Sequence, residues 1–198
     1  MKIIGITGGV GAGKSEILSF IRKNYPCEIY LADEVAHKIK EKGEPCYDQL
    51  VELLGRDVLD ADGQINKGKM AAIIFADEEI LKKVNEIVHP GVKDYIIDKM
   101  QAAKEKKIVK LFFIEAALLI EAGYQAMVDE LWYIYASREV RAKRLRENRG
   151  YSPEKIEQIM NSQLSEEVFL KTCDFVIDNS GKIEDSYIQI QNKLRGYC

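Results

Sequence analysis

The sequence predicts an α/β fold, a parallel five-stranded sheet with a helical segment inserted into it. Three observations carry this prediction. Short strands of buried character alternate with helical patterns along the chain, as in a parallel sheet. The first strand runs directly into a glycine-rich loop and then a helix. The interval between the second and third strands is much longer than an ordinary crossover and is almost wholly helical in pattern.

The elements follow in order. Lys2–Thr7 (KIIGIT) is a β-branched, nearly continuous apolar run, which reads as a strand buried on both faces. After the glycines, Ile17, Leu18 and Ile21 recur with helical spacing, and Pro26 closes that helix. Residues 27–32 (CEIYLA) read as the second strand. Residues 35–42 look helical up to Gly43, and residues 47–54 look helical up to Gly55. Residues 57–66 (DVLDADGQIN) read as a turn-rich loop. Helical patterns then cover 67–76 and 77–88, with a break expected at Pro90, and a further helix runs to about residue 104. Residues 108–114 (IVKLFFI), 131–136 (LWYIYA) and 175–177 complete the strands, and residues 183–194 form a last helix. The expected division is a sheet core of 1–33, 107–137 and 172–198, a helical insert of 34–106, and a lid of 138–171.

Bulk properties narrow the function. The 198 residues are 46% hydrophobic and 31% charged, an ordinary globular balance. A net charge of −3 argues against a nucleic-acid partner. Cysteines at 27, 46, 173 and 198 form no C-x-x-C pair, so no zinc or redox motif is expected. The opening MKIIGITGGV leads to glycines rather than to a cleavage site, and no apolar run approaches the roughly 18 residues needed to span a bilayer. The expectation is a cytoplasmic protein with reduced thiols, no membrane contact and no obligate protein partner.

Gly8-x-x-x-x-Gly13-Lys14-Ser15 is the P-loop pattern in its proper strand–loop–helix setting. The glycines let backbone N–H groups converge on an anion, and the helix N-terminus adds partial positive charge. In this pattern Lys14 reaches the β- and γ-phosphates of a nucleotide, and Ser15 gives its hydroxyl to Mg²⁺. A merely structural strand-to-helix turn would not require the lysine and serine.

Asp33 follows the second strand, at the sheet edge where ligands gather. If the first two strands are neighbours, its carboxylate lies near the γ-phosphate and can accept a proton from an attacking hydroxyl. It is equally suited to cap a helix starting at Glu34. Residue type leaves the two readings level. Residues 138–149 (REVRAKRLRENR) are arginine-rich, with Arg141, Arg144 and Asn148 near one helical face. They read either as a solvated or RNA-contacting face or as a lid closing over phosphates; the P-loop favours the lid. The two histidines, His37 and His89, lack metal-ligand spacing, and His89 before Pro90 is a structural corner or a substrate contact. Asp60-Ala61-Asp62-Gly63 lacks the later ligands of a calcium loop and does not follow a buried strand as a GTPase switch would. Asn66-Lys67-Gly68-Lys69 has lysine where a guanine-reading aspartate belongs, which argues against a GTPase.

Taken together these blocks resemble dephospho-coenzyme A kinases over essentially the whole chain. The resemblance rests on IIGITGGVGAGKS (3–15), LAD-x-x-A-H (31–37), LLG-x-x-x-L-x-x-DG-x-I (53–65), IF (74–75), VHP (88–90), LLIE (118–121), the arginine block around Arg144, SQ (162–163) and D-F-V-I-DN-x-G (174–181). It implies a P-loop NTPase fold of the nucleoside-monophosphate-kinase type, with a helical coenzyme-binding domain and a lid. It implies ATP-dependent phosphorylation of the ribose 3′-hydroxyl of dephospho-coenzyme A, with Mg²⁺ as cofactor. Asp33, Lys14 and Arg144 then carry the chemistry. Gly11, Ala12, Gly13, Lys14, Ser15, Glu16, Arg149 and Asn179 contact the nucleotide, with Asn179 near the adenine. Asp33, Lys67, His89 and Glu121 contact the acceptor. Several positions depart from the family pattern. Glu16 replaces a threonine after the P-loop serine, Leu31 replaces a first aspartate, Lys67 replaces an arginine, and Glu115-Ala116-Ala117 replaces Asp-Val-Pro. Rival readings are a nucleoside monophosphate kinase, which phosphorylates a phosphate and needs no base such as Asp33, and a nucleotide-binding switch or RNA-binding protein.

Overall fold

The computed structural model describes residues 1–107 and 109–197. The expected start of the third strand, Ile108, lies outside them.

Five strands form one sheet in the order β2-β3-β1-β4-β5. They are β1 (Lys2–Thr7), β2 (Cys27–Leu31), β3 (Leu111–Glu115), β4 (Glu130–Tyr135) and β5 (Phe175–Asp178). The pairings β1–β3, β1–β4 and β4–β5 are parallel. Ile6 is in register with Glu115 and Thr7 with Tyr133, which aligns the carboxyl ends of the central strands. The central position of β1 follows from its composition, because Ile3, Ile4, Ile6 and Thr7 are all buried. Trp132, wholly buried in β4, meets Phe113 and Phe175 edge to face at centroid distances of 6.0 and 5.2 Å.

The condition under which strand adjacency would bring Asp33 to the γ-phosphate is not met. β1 and β2 are not neighbours, because β3 lies between them. Consecutive strands often pair, but here apolarity decides the order. Four of the five residues of β3 are buried, whereas every residue of β2 is only partly covered, as suits an edge strand.

The chain divides into two compact units, Met1–Ile29 with Lys106–Cys198, and Tyr30–Glu105. The first unit carries α1 (Lys14–Asn24), α6 (Arg138–Arg149), α7 (Pro153–Asn161), α8 (Glu166–Thr172) and α9 (Ile183–Leu194). The second carries α2 (Ala32–Lys38), α3 (Tyr47–Leu54) and α4 (Lys67–Ala76), together with most of α5 (Glu78–Lys106). A single helix α5 replaces the two expected on either side of Pro90, which lies inside it. Val84, Val88, Val92 and Ile96 recur every fourth residue and are all buried. Burial of this stripe outweighs the local cost of the proline. Gly91 assists, because a Cβ there would collide with Cys46 Sγ. No helix among the described residues is long and apolar enough to cross a membrane.

Candidate active site

The glycine loop joins β1 to α1. Gly8, Gly11 and Gly13 have φ of 154°, 84° and 94°, a region that side chains rarely adopt. Close approach adds a second reason for glycine. A Cβ on Gly8 would sit 2.5 Å from the Ile134 carbonyl oxygen, one on Gly9 would strike the Arg141 guanidinium, and one on Gly13 would strike Asn179 Nδ2. The loop is thus packed tightly against its own protein on one side.

That packing is polar and specific. Arg141 Nε donates to the Val10 carbonyl at 2.9 Å. Arg144 Nη1 donates to the Ala12 carbonyl at 3.2 Å, and its Nη2 to the Asn179 carbonyl at 2.8 Å. Asn179 Nδ2 also donates to the Ala12 carbonyl, at 2.7 Å. The carbonyl and N–H of a trans peptide point in opposite directions, and no peptide bond among the described residues is cis. Pinning the carbonyls of Val10 and Ala12 therefore turns the N–H groups of Gly11 and Gly13 to the opposite side, the arrangement of an anion nest.

Lys14 opens α1 and folds back, donating to the Gly8 carbonyl at 2.8 Å and lying 3.6 Å from Glu115 Oε1. Glu115 ends β3 beside β1. In the sequence it is legible only as a departure from a family pattern. Ser15 occupies the first turn of α1. The Thr7 hydroxyl, at the end of β1, is buried without a hydrogen-bond partner among the described residues.

Ser137 caps α6 by accepting from the Val140 N–H, and the helix presents Arg141 and Arg144 three residues apart on one face. The sequence places Arg141 and Arg144 on one face, and both hydrogen-bond the glycine loop. Burial lowers the Arg141 pKa from its ordinary value, and the guanidinium nonetheless remains charged. Arg149 ends the helix, is exposed and lies 6.0 Å over the Tyr151 ring.

Three other expected contacts, Asn179 and Glu16 for the nucleotide and Glu121 for the acceptor, also lie in the first unit. Asn179 is 1% exposed, and its Oδ1 accepts from Ser186 Oγ at 3.1 Å, so its side chain lies within the protein's own network. Glu16 accepts from the Tyr187 hydroxyl at 2.8 Å, and Tyr187 stacks on Phe20 at 3.9 Å. Glu121 lies exposed in the turns after β3, near Leu118, which is 58% exposed.

The second unit holds the remaining candidates. Asp33 is not a helix cap: α2 begins at Ala32, its N-cap position is Leu31, and no side chain caps it. The carboxylate sits in the first turn, one turn before His37. Burial lowers the His37 pKa, the charges of Lys40 and Lys67 lower it further, and Asp33 opposes them. Burial and the charge of Lys67 likewise lower Lys40, a half-buried cation that no sequence motif singles out. Lys67 opens α4 behind the Asn66 cap. Exposed His89 lines a cavity of about 630 Å³ with Glu78, Leu81, Lys82, Asn85, Glu86 and Pro90.

Comparison with known proteins agrees with this geometry. The family model described as dephospho-CoA kinase matches residues 2–185. A dephospho-CoA kinase of Aquifex aeolicus is 38% identical over 191 residues, covering 96% of this chain and 95% of that protein. One from Streptococcus mutans is 35% identical over 196 residues, covering 98% and 96%. Among solved structures, one from Thermus thermophilus superposes with a TM-score of 0.79 at 26% identity, covering 100% of this chain and 98% of its own. The dephospho-CoA kinase of Campylobacter jejuni gives 0.74 at 24% identity, with both chains fully covered. A shikimate kinase from Acinetobacter baumannii, at 0.51 and 11% identity, shares the fold alone. With a matched model spanning nearly its whole length and relatives above 30% identity, the chain belongs to the dephospho-CoA kinase family.

Proposed function

We propose that this chain transfers the terminal phosphoryl group of ATP to the ribose 3′-hydroxyl of dephospho-coenzyme A, giving coenzyme A and ADP. The observation that carries the reading is the pinned loop. Two arginines and Asn179 hold the carbonyls of Val10 and Ala12, leaving N–H groups and the Lys14 ammonium for a polyphosphate. Such transfer is mostly positioning and charge stabilisation.

Each group has a separate task in this reading. The loop N–H groups and the α1 N-terminus bind the phosphates. Lys14 exchanges the Gly8 carbonyl for phosphate oxygens and stabilises the charge on the transferring group. Arg141 and Arg144 fix the loop and set two positive charges against it. Asn179 holds the loop from the β5 side. The second unit takes the coenzyme acceptor, with Lys67 and His89 as contacts, and Asp33 accepts the hydroxyl proton as the oxygen attacks.

Mg²⁺ fits the donors present. The Ser15 hydroxyl and the Glu115 carboxylate are oxygen ligands of the kind it takes, and it needs no cage of three acidic side chains, since it keeps waters and binds phosphate oxygens. When bound, it neutralises charge on the β- and γ-phosphates. The deciding experiment offers dephospho-coenzyme A, AMP, UMP and pantetheine separately with ATP and measures ADP release. Release with dephospho-coenzyme A alone is expected; release with AMP or UMP instead defeats the reading.

A further inference from the structure

Gln163 lies in the turn between α7 and α8, and its side chain reaches back to the glycine loop. Its Oε1 accepts from the Val10 N–H at 3.3 Å and from Arg141 Nη2 in a very short contact. Arg141 in turn donates to the Val10 carbonyl. Both polar groups of Val10 are thus fixed from the α6–α8 side. Its side chain is fixed from the same side, packing with Ala142 and Tyr151 on the cluster of Leu145, Ile156 and Met160. Gln163 and Arg141 also line a cavity of about 480 Å³ with Arg138, Tyr133 and Phe169. The Gln163 amide thus has open space beside it, and the two hydrogen bonds, rather than close packing on all sides, select its orientation. Both neighbours are donors, so only the oxygen can face them.

We propose that Gln163 is a positioning residue for nucleotide binding, acting through one amide oxygen on the Val10 peptide and the Arg141 guanidinium. The contacts form a closed triangle, donor to acceptor: Val10 N–H to the Gln163 oxygen, Arg141 Nη2 to the same oxygen, and Arg141 Nε to the Val10 carbonyl. Removing the amide oxygen frees the Val10 N–H and releases the guanidinium to turn toward the cavity. The loop then loses the constraint that orients its other N–H groups. The requirement is for an acceptor at this reach and not for an amide, so glutamate serves and methionine does not. This role rests on the kinase reading only in that the loop binds a nucleotide.

The test uses the full chain and ADP, with affinity measured by titration calorimetry and folding followed by thermal melting. Gln163→Met is expected to weaken ADP binding about tenfold, the scale of one or two lost hydrogen bonds, while melting cooperatively. Gln163→Glu is expected to stay within about threefold of the parent. In Arg141→Met/Gln163→Met the combined loss should fall short of the product of the single losses by at least about threefold, because the two groups act as one unit. ADP affinity of Gln163→Met within about twofold of the parent overturns the proposal. So does equal damage from methionine and glutamate, or multiplication of the two losses. ADP binding needs no acceptor, so this comparison stands even if dephospho-coenzyme A proves not to be the substrate.

Discussion

Asn179 donates its side-chain amide to the Ala12 carbonyl at 2.7 Å, joining positions 167 residues apart in sequence. The same carbonyl accepts from Arg144, which also binds the Asn179 carbonyl. The glycine loop therefore owes its shape to α6 and to the loop after β5 as much as to its own glycines.

Asn179→Ala should lower both stability and nucleotide affinity. The substitution removes donors to Ala12 and the acceptor for Ser186 Oγ in a site that is 1% exposed. Ala12 keeps Arg144 and Ser186 keeps the Asp178 carbonyl as partners, so the loss is that of the hydrogen bonds themselves, about 0.5–1.5 kcal/mol each. Denaturant melts and ADP titration check this together. An unchanged midpoint with unchanged affinity would contradict the role given to Asn179.

Arg141→Ala and Arg144→Ala should be comparably damaging, each lowering turnover about 10²-fold or more. Both side chains hydrogen-bond the loop, and neither is a solvated surface arginine. Steady-state kinetics at saturating ATP separates the alternatives, because small effects in both variants would restore the solvated-face reading.

Asp33→Asn should leave a folded, ATP-binding protein that turns over dephospho-coenzyme A at least about a hundredfold more slowly. Because Leu31 and not Asp33 is the N-cap residue, no capping bond is lost. What remains is a helix-dipole contribution of about 0.3–1 kcal/mol from the first-turn charge. ATP–Mg²⁺ affinity measured in the same variant separates loss of a base from loss of metal binding. Retention of most activity would refute Asp33 as the base.

Glu130 supplies a pH prediction away from the site. Burial works against its charge, but hydrogen bonds from Trp132, Tyr197, Lys193 and Lys2 prevail and lower its pKa from 4.5 to about 2. A depressed folded-state pKa contributes stability above the ordinary value, and that stability is lost as pH falls from 4.5 toward about 2. Glu130→Gln should therefore be less stable than the parent at pH 7, and the gap should narrow through that window. Urea midpoints at pH 7, 4 and 3 test this, and a gap that is constant with pH would exclude it.

The sequence by itself determined the strands, the loop and the class of chemistry. KIIGIT, the glycines with Lys14 and Ser15, and the arginine run are local patterns, and each specifies backbone geometry or charge through its neighbours along the chain. Helices α4 and α9 were likewise legible to the residue, since their apolar spacing and flanking loops are local. The tertiary structure alone decided what those patterns meet. It placed β3 between β1 and β2 because the more apolar strand gains more from an interior position. It carried α5 through Pro90 because a buried valine stripe outweighs one missing hydrogen bond. It removed Asp33 from the cap by starting α2 two residues earlier than a cap there would allow. What Gln163 and Arg141 bind had no local signature, because each acts on a backbone group far away in sequence. Hydrogen bonds to main-chain carbonyls and N–H groups carry no residue-type code at the receiving end, so only the folded chain reveals them.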